Sequence, residues 1–230
     1  MEKLVYQLWK KDDDSLENFK ESLLSNLTKD LDGLVTELQI NIADADVEPA
    51  NGLAQSNYPP APNAVIFLKV QSYFLAHTFE DHLHKVAKKI HGFVVSESVI
   101  LDDVKKSPLG LRAEGFSQVV FLEKPETMCT FDWFEHWTKH HTKIAIETQS
   151  NFIYVQNSVV RPLQKSSPAF IAIIEECFPY EAMSDPEVFY DAENNPELLA
   201  KNGKVMMSSC EKFIDFKKIE VIPTSRYRMV

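Results

Sequence analysis

The chain has 230 residues, and its 44% hydrophobic and 25% charged content describes one large or two small globular units with enough apolar material for a sizeable core. The formal net charge of −10, with no basic stripe to neutralise phosphates, argues against nucleic acid and against anionic membrane surfaces as partners. No apolar run reaches membrane-spanning length, MEKLVYQLWKKDDD has no signal-peptide pattern, and Cys129, Cys177 and Cys210 are scattered without a C-x-x-C, so the reading is a cytoplasmic protein with reduced, mostly buried thiols.

Residues 3–9, ending in charges, read as a strand. Ser15 caps a predicted helix over 15–30, in which Leu16, Phe19, Leu23 and Leu27 recur at helical spacing before Gly33. Residues 34–42 alternate as a strand. Residues 44–63 are rich in Pro, Asn, Gly and Ser and read as a long loop, either a solvated insertion or a pocket lid or dimer arm. AVIFLKV at 64–70 is a dense β-branched strand. Residues 73–90 carry a helical apolar face ended by Gly92, and 93–101 form a strand. His77, His82, His84 and His91, in and beside that helix, read as solvated positions. After a linker at 102–114 the order restarts: strand 115–124, helix 130–149, strand 151–161, strand 169–178, helical residues 185–206 with a break at Pro196, and strand 210–222.

The pattern is β-α-β-β-α-β written twice, which is the split βαβ or ferredoxin-like unit. The predicted fold is therefore α+β. Two tandem units, 1–106 and 107–230, pack antiparallel sheets as an α+β barrel pseudo-dimer, each half covering the other's bare sheet face. One helix breaks the apolar plan. Trp133, Trp137 and His141 stand four residues apart, so they share one flank of helix 130–149. Two indoles and an imidazole on a core-facing stripe need partners, which means a polar pocket or a well-satisfied core.

That aromatic–Trp–His spacing, followed by the strand from Tyr154 to Val160, resembles the EthD-like branch of the dimeric α+β barrel superfamily over roughly 115–222. The first half shares the architecture only: at the equivalent helix Phe19, Leu23 and Leu27 replace the motif, so its polar site is lost. The resemblance implies a small apolar or aromatic substrate. It also implies a cofactor-independent oxygenase, decarboxylase or cyclase, with a non-catalytic ligand-binding or assembly module as the alternative and a haem protein, as in the wider superfamily, as a weaker one. It does not name a reaction. His141 is then the candidate acid/base, with Trp133 and Trp137 as walls, Tyr154 and Tyr180 as donors to an enolate or phenolate, and Arg161 as partner of an acidic group. No bound cofactor is expected. His136 and His140, at i and i+4, lack a third ligand, so no metal site is predicted. A homodimer is compatible with this plan, although an internal duplication already satisfies the barrel.

Overall fold

In β1 (Glu2–Lys10), Leu4, Tyr6 and Leu8 alternate with Val5 and Gln7, and all five are buried. A strand buried on both faces lies between two layers. The computed structural model, which describes residues 1–230, shows what the layers are: helices outside and a barrel interior inside. Leu4, Tyr6 and Leu8 pack with helix residues Phe19, Leu23 and Phe79, whereas Val5 meets Phe93, Phe121 and Ile222 from strands of both halves.

The first half comprises β1, helix α1 (16–31), β2 (Glu37–Ile42), a two-residue β3 (Gln55–Ser56), β4 (Ala64–Val70), α2 (Ala76–Val86) and β5 (Ala87–Asp102). The second comprises β6 (Phe116–Leu122), α3 (130–148), β7 (Ile153–Pro162), β8 (Ala172–Phe178), the short α4 (Pro186–Phe189), α5 (Pro196–Cys210) and β9 (Ile219–Arg228). The strand order is β2-β4-β1-β5-β7-β8-β6-β9, and β9 returns to pair with β2, so the sheet closes into an eight-stranded barrel. Every pairing between these strands is antiparallel. Helices α1 and α2 cover the outer face of the first half, and α3 and α5 cover that of the second. No helix is long and apolar enough to cross a membrane.

Three expectations change. The helix predicted over 73–90 ends at Val86, and Gly92 lies inside β5 instead of stopping a helix. A Cβ on Gly92 would come within 2.4 Å of the Tyr6 ring, so glycine is there for close packing. His91 is consequently in the strand, buried, with neither ring nitrogen hydrogen-bonded, and is not a solvated position. The last strand is 219–228 instead of 210–222: Phe213 and Ile214 pack beneath α3, and the alternation that enters the sheet runs through Ile222, Thr224 and Arg226. Finally, the 44–63 segment is built. Residues Ala45–Leu53 form a 3-10 helix, and Gln55 and Ser56 pair with β9 of the second half.

Candidate functional site

Helix α3 starts at Cys129, whose Sγ accepts from the Asp132 backbone N–H at 3.4 Å, with Asp132 in the first turn favouring the helix dipole. Cys129 is exposed, unlike the buried thiols expected; Cys177 is buried and Cys210 half-buried, and all three are free. At His136–His141 the helix widens into a π turn, and the Thr142 hydroxyl donates to the loosened Trp137 carbonyl at 2.8 Å. Beyond it, Thr142–Thr148 is α-helical again.

The stripe faces the sheet's outer surface, away from the barrel interior. Trp133 is fully buried, donates from Nε1 to the Phe213 carbonyl at 2.7 Å and packs against Trp137 in a tilted arrangement with ring centroids 5.0 Å apart. It is core behind the wall. Trp137 and His141 line an open cavity of about 280 Å³ between α3, α5 and the sheet, together with Val120, Tyr154, Ile174, Met206 and Phe213. His141 is 9% exposed, with its Nδ1 3.0 Å from the Ser209 hydroxyl and its ring 4.7 Å from that of Phe213. Burial, helped by nearby His136, lowers its pKa to about 4, so the imidazole is neutral at pH 7. A charged imidazolium acid is therefore not its resting form.

Tyr154 stands on β7 with its hydroxyl accepting from Gln156 Nε2 at 2.9 Å, and the same amide nitrogen donates to Thr142 Oγ1 at 2.7 Å. This chain ties the phenol to the π turn. Burial, and after it the charge of Glu176, raises the phenol's pKa, so it remains a neutral donor.

The residue that sequence reasoning missed is Glu176. It sits on β8 between Tyr154 of β7 and Gln118 of β6 in register, and all three line the cavity. Its carboxyl accepts one hydrogen bond, from Asn151 Nδ2 at 2.9 Å. Burial raises its pKa to about 7, against the smaller lowering effect of Asn151. A carboxyl poised at neutrality in an apolar cavity is a group matched to proton transfer. The signal for it was the acid pair Glu175-Glu176 in an otherwise apolar strand: adjacent strand residues face opposite sides, so the barrel interior receives a buried acid and the helix-facing layer a half-buried one.

Two expected site residues stand elsewhere. Arg161 is exposed at the far end of β7 with its guanidinium 4.4 Å over the Tyr73 ring of the first half. Tyr180 is 56% exposed in the turn after β8. Neither lines the cavity, because β7 runs on beyond the helix layer and the chain leaves the sheet at Pro179. The cavity lining contains no lysine or arginine, so nothing in it pairs with an acidic substrate group or with haem propionates. His136 Nε2 lies 3.2 Å from both oxygens of Ser209, and the His136 and His140 rings are 5.8 Å apart.

The EthD domain family matches residues 126–217, which run from the turn before α3 to the turn before β9. The matched stretch lies in the second half of the chain and is similar to an EthD domain. No curated protein sequence matches it. Among solved structures, an anthrone oxidase-like protein superposes with a TM-score of 0.57 at 11% identity, covering 99% of this chain and 93% of that one. A monooxygenase-like protein from Lactobacillus acidophilus NCFM gives 0.51 at 10% identity, covering 100% and 95%. A chlorite dismutase variant from Candidatus Nitrospira defluvii gives 0.50 at 7% identity, covering 98% and 90%. At such identities the likeness is one of fold.

Proposed function

We propose that the chain is an enzyme for small, neutral, apolar or aromatic compounds, with the helix–sheet cavity of the second half as its active site and Glu176 as its acid/base. The observation that carries this reading is the carboxyl of Glu176, held at a pKa of about 7 with one hydrogen-bond donor in a cavity lined mainly by apolar side chains. The charge of the lining agrees: with no cation present, an anionic substrate would be desolvated without a partner.

The fold likeness to an anthrone oxidase-like protein supplies a test substrate. Anthrone has an activated CH₂ opposite its carbonyl. Glu176, ionised, takes a proton from that carbon, while the Tyr154 hydroxyl donates to the carbonyl oxygen as enolate charge develops there. Neutral His141 and Trp137 hold the flat ring. The carbanion reduces dioxygen and forms a C–O bond. Glu176 returns its proton to the resulting peroxide anion, and the hydroperoxide then loses the remaining hydrogen of that carbon together with hydroxide, as water, which breaks the O–O bond and leaves a second carbonyl. The balance is anthrone plus O₂ giving anthraquinone plus water, with dioxygen as the oxidant.

Oxygen consumption with anthrone tests the reading. Wild-type kcat/KM rises as pH passes upward through about 7, because the ionised carboxyl is the active form. Glu176→Gln keeps the shape of the cavity and lowers turnover at least about 100-fold. Unchanged turnover in Glu176→Gln contradicts the assignment. Binding of anthrone without turnover in the wild type points instead to a ligand-binding module.

A further inference from the structure

Each half sends the loop between its two middle strands across to the other half, and the two loops differ. Residues 163–171 of the second half are short: Leu163 packs on the first-half core, and Gln164 donates to Glu80 of α2 at 2.8 Å. Residues 43–63 of the first half are long and lie on the second half. Val47 and Ala50 of the 3-10 helix pack against Phe116, Phe178 and Phe189. Strand β3 then pairs with β9, and Gln55 Nε2 donates to the Phe216 carbonyl at 2.8 Å. Farther along, Glu220 accepts from Ser56 Oγ at 2.9 Å and from the Tyr58 backbone N–H at 2.7 Å, and the Tyr58 hydroxyl donates to Glu123 at 2.6 Å. The loop is thus fixed on both sides of Leu53.

Leu53 occupies a particular place. It lines the 280 Å³ cavity that holds Glu176 and His141, and it also lines a neighbouring cavity of about 310 Å³ floored by Ala182, Met183 and Pro186. Phe189 and Tyr190 are the other two side chains common to both. These three apolar groups form the partition. Phe189 and Tyr190 belong to the second half, whereas Leu53 comes from the first half, on a segment with no counterpart of equal length.

We propose that Leu53 is a specificity-determining residue: supplied across the barrel by the degenerate half, it closes the active cavity toward its neighbour and so limits the length of the neutral aromatic ligand. This rests on the cavity being the ligand site. It assigns the first half a role in recognition through its crossing loop, although the outer face of its own sheet is filled by packed apolar side chains.

The test uses the full chain and calorimetric titration with two neutral phenols, compact 1-naphthol and elongated 4-hydroxystilbene. Leu53→Ala joins the two cavities and shifts the affinity ratio toward the stilbene by about tenfold, the size of effect that a few methylenes exert in an apolar pocket. Leu53→Trp shifts the ratio the other way. Leu163→Ala, on the loop that crosses in the opposite direction, leaves the ratio at its wild-type value, and thermal melts confirm that each variant is folded. If both phenols bind the wild type, and binding responds to Glu176→Gln while the ratio is the same in Leu53→Ala and Leu53→Trp, the partition role is overturned and the active-site reading stands. If neither phenol binds the wild type, the cavity reading fails and this inference fails with it.

Discussion

Glu175 and Glu176 are neighbours in sequence and opposites in chemistry. Glu176 faces the helices and has a single donor. Glu175 faces the barrel interior, where its Oε1 accepts from Gln39 at 2.7 Å, from Asn41 and Ser117 at 2.9 Å each and from Arg226 Nε at 3.0 Å. Burial pushes Glu175 upward, but Arg226 and the amide donors outweigh it and hold the carboxyl below its ordinary value. One strand therefore carries a carboxyl with a lowered pKa on one face and a carboxyl with a raised pKa on the other. The first should be sensitive to its partner. Arg226→Met leaves a buried carboxylate without its counter-ion and is expected to lower unfolding free energy by about 3–5 kcal/mol at pH 7 in urea titration. The sign with pH follows from the depressed value: the pair's contribution is present above the normal glutamate range and is lost as pH falls through the lower folded pKa, so the variant's deficit shrinks in acid. Of the site, Trp137, His141 and Tyr154 were legible because spacing and residue type single them out. Glu176 was not, since the direction in which a strand residue points depends on a register that one sequence does not reveal. Arg161 and Tyr180 were misplaced because the sequence does not show that β7 outruns the helix layer or that the chain leaves the sheet at Pro179.

At the scale of elements, the duplication is sharper in the structure than in the residues. In α1, Leu16–Glu21 is followed by a π turn over Ser22–Leu27; in α3, Thr130–Glu135 is followed by one over His136–His141. Each π turn is closed by a threonine hydroxyl donating to a carbonyl five residues back, Thr28 to Leu23 at 3.2 Å and Thr142 to Trp137 at 2.8 Å. Those contacts align Leu23 with Trp137 and Leu27 with His141, the pairing that spacing implied. The same backbone irregularity packs aliphatics in one half and presents polar groups in the other, so the π turn is inherited geometry and the site is a change of side chains upon it. Thr142 also accepts from Gln156, which holds Tyr154. Thr142→Val removes both contacts at nearly constant volume and is expected to cost about 1–3 kcal/mol of stability by thermal unfolding, through unpaired buried partners. The strands at 2–10 and 64–70 and the π-turn helices were readable from alternation and period. The end of α2 was not, because Leu83, Val86, Ala87 and Ile90 keep helical spacing across the point where helix passes into strand.

For the molecule as a whole, closure of the barrel decides where chemistry fits. The seams β5–β7 and β2–β9 join the halves into one continuous sheet, and its interior is filled on one side by Phe93, Phe121 and Phe170 and on the other by the Glu175–Arg226 network. The proposed active cavity lies outside the barrel, beneath α3 and α5, where an aromatic helix and an acid-bearing strand face each other. The doubled element order was enough to infer a barrel from the sequence; the crossing of the 43–63 loop onto the far half was not, since its contacts are with residues distant in the chain. The central claim is that the second-half cavity keeps one carboxyl at the threshold of ionisation. Carbon-13 NMR titration of the glutamate side-chain carboxyls, compared with the same titration of Glu176→Gln, measures it directly. One wild-type carboxyl is expected to titrate with a midpoint near 7 and to vanish in the variant. Midpoints below about 5 for every glutamate, within the ordinary carboxylate range, would contradict it.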